Sequence, residues 1–290
     1  MLTYEFMQNA FVATGMVAIV AGLVGFFLVL RGQTFAGHAL SHIGFAGAAG
    51  AGLVGLAPLW GLLAFAIAAA IGIGLIGERL SRRDVAIGVV LAFSLGLGLL
   101  FLHYYTSFAT QATAILFGNV LAVSRAMLVT LALLGAVTLA ALAVITRPLI
   151  FASLQPELAE ARGVPVRLVS TVFLVIVAVA VAESAQIVGV LLVFALMVGP
   201  PAAAQLVARR IGTGLLLAAI FAVAVAWLGI AISYYTDWPA TFCIATLSAA
   251  LFFACYVFAN RPAALDAARP DPQIDEAIAR SGATDSRRSR

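Results

Sequence analysis

The chain has no lysine; all 16 of its basic residues are arginine. A nucleotide-binding P-loop needs a lysine to reach the phosphates. No Walker A site can therefore be built from this sequence, and any ATP-driven step belongs to another subunit. Charge of either sign is scarce. Only 10% of residues are charged and 64% are hydrophobic, against about a quarter charged in a soluble domain. That balance excludes an ordinary globular protein, and a pI near 9.5 does not imply nucleic acid, because most of the arginines fall in short loops between apolar runs. Cysteine is nearly absent. Cys243 and Cys255 share one apolar segment and read as small core residues, not as a disulfide or metal pair. Met1 to Ala10 contain Glu5 and no basic residue. A secretory leader would start with a positive region, so the first apolar run is expected to persist in the mature protein.

What fills the chain instead is apolar sequence. Runs occur at 10–30, 35–56, 59–76, 85–104, 126–146, 168–186, 187–208, 212–234 and 239–259. Each is long enough to cross roughly 30 Å of hydrocarbon as a helix. The expected fold class is all-α, a polytopic integral membrane protein of about nine transmembrane helices, or eight if two neighbouring runs merge into one crossing. Residues 1–259 form the transmembrane domain. Residues 260–290 carry six arginines, five acids and three prolines and are expected to be a disordered cytoplasmic tail. The stretch 110–123 is shorter and reads as a re-entrant or interfacial piece.

Arginine sets the expected orientation. With nine alternating helices, Arg31, Arg79, Arg82, Arg83, Arg147, Arg162, Arg167, Arg209 and Arg210 share one side, and only Arg125 falls on the other. The positive-inside rule makes the first side cytoplasmic. The N-terminus is then outside and the C-terminus cytoplasmic. The aromatic clusters His103-Tyr104-Tyr105 and Tyr234-Tyr235-Thr236-Asp237-Trp238 land outside, at interfacial depth. Both follow an arginine pair by a similar interval, a possible internal echo of the kind transporters contain.

Gly37 to His42 read Gly-His-Ala-Leu-Ser-His. Ionisable residues within a membrane span are functional-site hypotheses by default. Spacing of four puts both rings on one helix face, and imidazole is a common ligand for divalent transition metals. His38 and His42 are therefore candidate metal ligands; the competing role is hydrogen-bonded glue between helices. The glycines at 37, 44, 47, 50, 52 and 55 allow close helix approach, which places this helix at the centre of the bundle. His38 lies only about 6 Å from the start of its helix, at 1.5 Å per residue. An intramembrane zinc protease would need His-Glu-x-x-His with the glutamate as base; Ala39 follows His38 here, and no carboxylate separates the histidines.

Three further features carry alternatives. Glu183, followed by Ser184 and Gln186, is an acid inside an apolar run. It reads as an entry ligand for metal, a proton carrier, or an interfacial residue reaching for water. Gly199-Pro200-Pro201 interrupts a run and either borders a pathway or is a plain kink. The loop from Arg147 to Arg167 is the longest internal one. Within it, Pro156 suits a first helical turn and Gly163 a C-terminal stop. Residues Glu157, Arg162 and Gly163 would belong to a short helix that docks a motor subunit, or else to an ordinary linker.

In order along the chain, these stretches resemble the membrane permease subunit of the bacterial zinc/manganese ABC importers, the ABC-3 family. The resemblance rests on Leu30-Arg31 through Gly37-His38-Ala39-Leu40-Ser41-His42, Asp84-Val85-Ala86-Ile87-Gly88, Leu116-Phe117-Gly118-Asn119-Val120-Leu121, Pro156-Glu157 through Gly163-Val164-Pro165, Val188-Gly189-Val190-Leu191-Leu192 and Ser233-Tyr234-Tyr235. It implies a multi-pass protein of the bacterial cytoplasmic (inner) membrane, embedded in lipid. The implied partners are a second copy of itself, two ATPase subunits and an extracytoplasmic metal-binding protein, with no nucleic acid. It also implies that positions 38 and 42 line the metal route. No cofactor is expected to be permanently bound; zinc, or manganese, is the transported substrate. The family typically reads Gly-Asp-Ala-Leu-Ser-His where this chain has His38. Imidazole favours zinc over manganese, so zinc is the expected ion. The alternatives are a manganese-preferring permease and a self-sufficient, proton-coupled secondary carrier.

Overall fold

A computed structural model describes residues 4–76, 80–105, 115–118, 120 and 122–267. The described residues are helical almost throughout. In hydrocarbon every backbone N–H and C=O must be satisfied within the segment, which leaves helix as the form for such runs. Ten helices follow in chain order: α1 (Glu5–Leu30), α2 (Thr34–Leu53), α3 (Pro58–Ile76), α4 (Leu80–His103), α5 (Arg125–Leu154), α6 (Pro156–Ala161), α7 (Val166–Val188), α8 (Val190–Val207), α9 (Ile211–Thr236) and α10 (Ala240–Ala267). The nine expected runs all appear as long helices. Eight, all but α2, are long and apolar enough to cross a membrane. α2 has 20 residues, about 30 Å of helix. Its glycine, alanine and histidine content makes it the least apolar of the nine because it faces protein: it packs against α3, α4, α7 and α8.

α1 and α7 form the buried centre, while α4, α5 and α10 present most of their surface outward. α1 touches α5, α7, α8 and α9, and α7 also touches α2 and α3. Phe27, Leu40, Phe173, Leu174 and Leu196 are among the buried residues at their junctions. Small residues set the spacing. A Cβ on Gly25 would lie 2.0 Å from the Met197 carbonyl oxygen, so α1 and α8 meet backbone to backbone.

The two ends of the bundle are distinct. At one, Glu5 pairs with Arg125 at 2.8 Å and the Asn9 amide donates to the Val123 carbonyl at 3.2 Å. At the other lie Arg31, the α5–α6–α7 connection, and the α8–α9 turn, where the Gln205 amide donates to the Phe26 carbonyl at 2.8 Å. Arg125, beside Glu5 at the start of α1, and Arg31, at the end of α1, thus stand at opposite ends of the bundle.

Several boundaries move. The loop expected from Arg147 to Arg167 is mostly helix: α5 runs through Pro148 to Leu154, α6 follows after Gln155, and α7 starts at Val166. The Gly199-Pro200-Pro201 interruption does not break α8, which continues to Val207 with both prolines buried inside it. The break falls at Gly189, the single residue between α7 and α8, with φ 79° and ψ 159°. That region of backbone space is essentially closed to residues with a Cβ. Gly118 (φ 69°) sits directly against Gly189. Of the stretch 110–123, residues 115–117 form a helical turn; 110–114, 119 and 121 lie outside the described residues. The helical backbone of α10 carries past 259 to Ala267, and 268–290 lie outside the described residues.

Candidate functional site

His38 and His42 sit one turn apart on α2 with ring centroids 4.6 Å apart and planes at 76°. Phe194 of α8 packs edge-on against His38, centroids 4.8 Å apart. The Ser41 hydroxyl donates to the His38 carbonyl at 2.7 Å, the local bond expected of serine in a helix. Both rings are partly buried, and both Nδ1 atoms are buried with no hydrogen-bond partner among the described residues. A pair of imidazole nitrogens on one helix face is a donor type that divalent transition metals take; hydrogen-bonded glue between helices would use the same ring atoms. Among the described residues, no third His, Cys, Asp or Glu joins the pair. The pair offers two nitrogen donors on one helix face.

Glu183 does not join them. It is 0% exposed and lies between α7, α1 and α5: a Cβ on Gly135 would stand 3.0 Å from its Oε1 and 3.3 Å from Val20. The His38 ring instead meets α8. The interfacial reading of Glu183 is corrected by this burial. Gly189 turns the chain directly into α8, and Ser184, Ile187 and Val188 near the end of α7 are buried with Glu183. Neither carboxyl oxygen has a hydrogen-bond partner among the described residues.

The short docking helix forms as its residues dictate. Pro156 occupies the first turn, where its missing N–H costs nothing, and Glu157 lies in that turn at the positive end of the helix dipole. Gly163 (φ 80°) closes it: its N–H donates to Glu160 O at 2.9 Å, and Val164 N–H to Ala159 O at 3.0 Å. That is a Schellman cap. Ala159 is buried while Glu157, Arg162 and Gly163 are exposed. A cavity of about 340 Å³ opens beside them, lined by Leu154, Gln155, Pro156, Glu157 and Leu158. A larger one of about 610 Å³ lies at the Glu5 end, among Phe6, Tyr234, Asp237 and Trp238. None of His38, His42, Glu157, Arg162, Gly163 and Glu183 lines it.

Sequence reasoning missed two neighbours of these elements. Phe194 carried no signal beyond being one apolar residue in a run. Arg31 was read only as a topology charge; here its guanidinium is partly buried and bonded to two helices.

The profile of the ABC 3 transport family matches residues 3–259. The chain belongs to that family. It is 29% identical over 262 residues to the manganese transport system membrane protein MntC of Listeria innocua, covering 90% of this chain and 93% of that protein. It is 31% identical to the manganese import system permease protein ScaB of Streptococcus parasanguinis, covering 89% and 92%. Among solved structures, PsaBC from Streptococcus pneumoniae in complex with Fab matches with a TM-score of 0.79 and 31% identity, covering 87% of this chain and 91% of the other. This ABC 3 chain is thus a multi-pass transport permease of the bacterial inner membrane.

Proposed function

We propose that this chain is the membrane permease subunit of an ATP-binding cassette importer that moves a divalent transition metal, zinc foremost, into the cytoplasm. The observation that carries the reading is the edge-to-face pair His38 and His42, with both Nδ1 atoms buried and without a hydrogen-bond partner among the described residues. Two imidazoles bind a borderline ion such as zinc more readily than manganese, which suits oxygen donors. The names of MntC and ScaB supply the second reading, manganese. Glu183 is a residue of the bundle interior in this proposal and a metal ligand only in its rival forms.

Family membership and the absence of lysine support a division of labour. Two copies of an ATPase subunit hydrolyse ATP, an extracytoplasmic binding protein delivers the metal, and a second copy of this chain completes the membrane unit. In this proposal the arginine-rich end, with α6, faces the cytoplasm and the Glu5 end faces outward, a reading supported by the positive-inside rule. Metal uptake separates the readings: cells with and without the gene are loaded with zinc and manganese in competition. Loss of zinc accumulation supports the proposal, loss of manganese alone supports the second reading, and no change in either ion defeats both.

A further inference from the structure

Arg31 closes α1 at the end where α6 lies. Its Nη1 donates to the Ser153 hydroxyl at 3.1 Å, and its Nη2 donates to the Ser170 hydroxyl. The guanidinium carbon lies 5.9 Å from the centroid of the Phe173 ring, within cation–π range. Ser153 is in the last turn of α5, just before α6, and Ser170 is in the first turns of α7, just after it. One side chain therefore grips both roots of the docking loop.

The other side of Arg31 leads to the histidines. Gly32 (φ 62°) caps α1: its N–H donates to Val29 O at 3.0 Å and Gln33 N–H to Leu28 O at 3.0 Å. These two bonds form a Schellman motif, and α2 starts at Thr34. The corner between Arg31 and α2 is hydrogen-bonded and short, so it transmits displacement rather than absorbing it. His38 follows one turn into α2.

We infer that Arg31 is the positioning residue that couples the α6 docking loop to the histidine-bearing helix α2. A motor that moves α6 moves Ser153 and Ser170 with it. The planar fork of arginine, bonded to both, carries that movement into the α1–α2 corner. Lysine carries its donors on one nitrogen at the end of a flexible stem and lacks the rigid planar fork that holds two acceptors apart. The inference rests on the reading of α6 as the ATPase docking element.

The test uses the full transporter, permease with its ATPase, in proteoliposomes, with zinc and manganese as probes and all rates normalised to assembled complex. Arg31→Lys and the double variant Ser153→Ala, Ser170→Ala are compared with the parent. The serine variant keeps the arginine and removes only two hydroxyls, so it remains informative if Arg31 variants fail to accumulate. Coupling predicts uptake lowered about tenfold by loss of these bonds, with ATP turnover within about twofold of the parent. Parental uptake, or a parallel fall of uptake and turnover as a merely structural role would give, overturns the inference. Glu157→Ala, Arg162→Ala is run alongside. If that variant transports normally, the docking reading itself fails; if it uncouples while the serine variant does not, only the role of Arg31 fails.

Discussion

Gly47 of α2 and Gly61 of α3 meet backbone to backbone: a Cβ on Gly47 would lie 2.1 Å from the Gly61 carbonyl oxygen, and one on Gly61 2.0 Å from that of Gly47. Neither backbone can yield as a flexible side chain would. Gly47→Ala must push α2 away from α3, at a cost of about 1–3 kcal/mol as overpacking. A lower Tm of the purified permease is expected. Gly72→Ala, with nothing within 4 Å of its Cβ, serves as the control and should leave Tm unchanged or raise it. Equal Tm values for both variants would mean that α2 and α3 are not packed this closely.

Glu183 faces Gly135 of α5, which also lies close to Val20 of α1, and its carboxyl has no partner among the described residues. A buried carboxyl without a hydrogen-bond partner is not a source of stability, so Glu183→Gln, which keeps the volume, should match or exceed the parent in Tm. Glu183→Ala should be less stable by about 1–3 kcal/mol, because it opens a cavity between three helices. Metal uptake by the glutamine variant is a second readout. Activity near the parent's supports a packing role. Abolished uptake at unchanged Tm would return Glu183 to the pathway as a proton or metal carrier.

How far the sequence could be read follows from what each residue depends on. The helices depend on local hydropathy, and all nine long ones coincide with apolar runs. The glycines of α2 promised close approach, and Gly25, Gly47 and Gly61 fulfil the rule that small residues bring membrane helices together. The α6 helix depends on local caps, and Pro156 and Gly163 act where such residues act. For Glu183 the run left three readings open; its burial, which goes against a side chain reaching for water, is a tertiary property that no local pattern carries. Arg31 shows the same limit. Its charge and loop position were legible, but Ser153 and Ser170 lie more than a hundred residues away, and nothing local announces them.

The α6 element gives a third expectation. Glu157 and Arg162 are exposed and do not support the fold. Changing both to alanine should leave membrane insertion and Tm intact while lowering uptake about tenfold or more through lost docking contacts. Uptake equal to the parent's would remove α6 from the coupling path. The same preparation tests the division of labour: the permease purified without its ATPase should hydrolyse no ATP, since it has no lysine to build a phosphate-binding loop. Robust hydrolysis by the isolated chain would refute that.

The histidine pair yields the sharpest expectation because chemistry and packing predict different outcomes. A metal ligand must offer a free nitrogen lone pair, and a protonated imidazole has none to give. Uptake should therefore be full where both imidazoles are neutral and weaken as the medium is made acidic. His38→Ala and His42→Ala should each lower zinc uptake by about tenfold or more, a loss of at least 1.4 kcal/mol in the barrier for passage. His38→Asp should keep activity and shift preference toward manganese, because a carboxylate oxygen suits that harder ion. Structural glue predicts something else: less folded permease in the membrane, with normal transport per molecule. Zinc and manganese uptake normalised to folded protein distinguishes the two, since the ring contact with Phe194 at 4.8 Å would be lost in either case. Normal zinc uptake per folded molecule by the His38→Ala, His42→Ala double variant would end the ligand role.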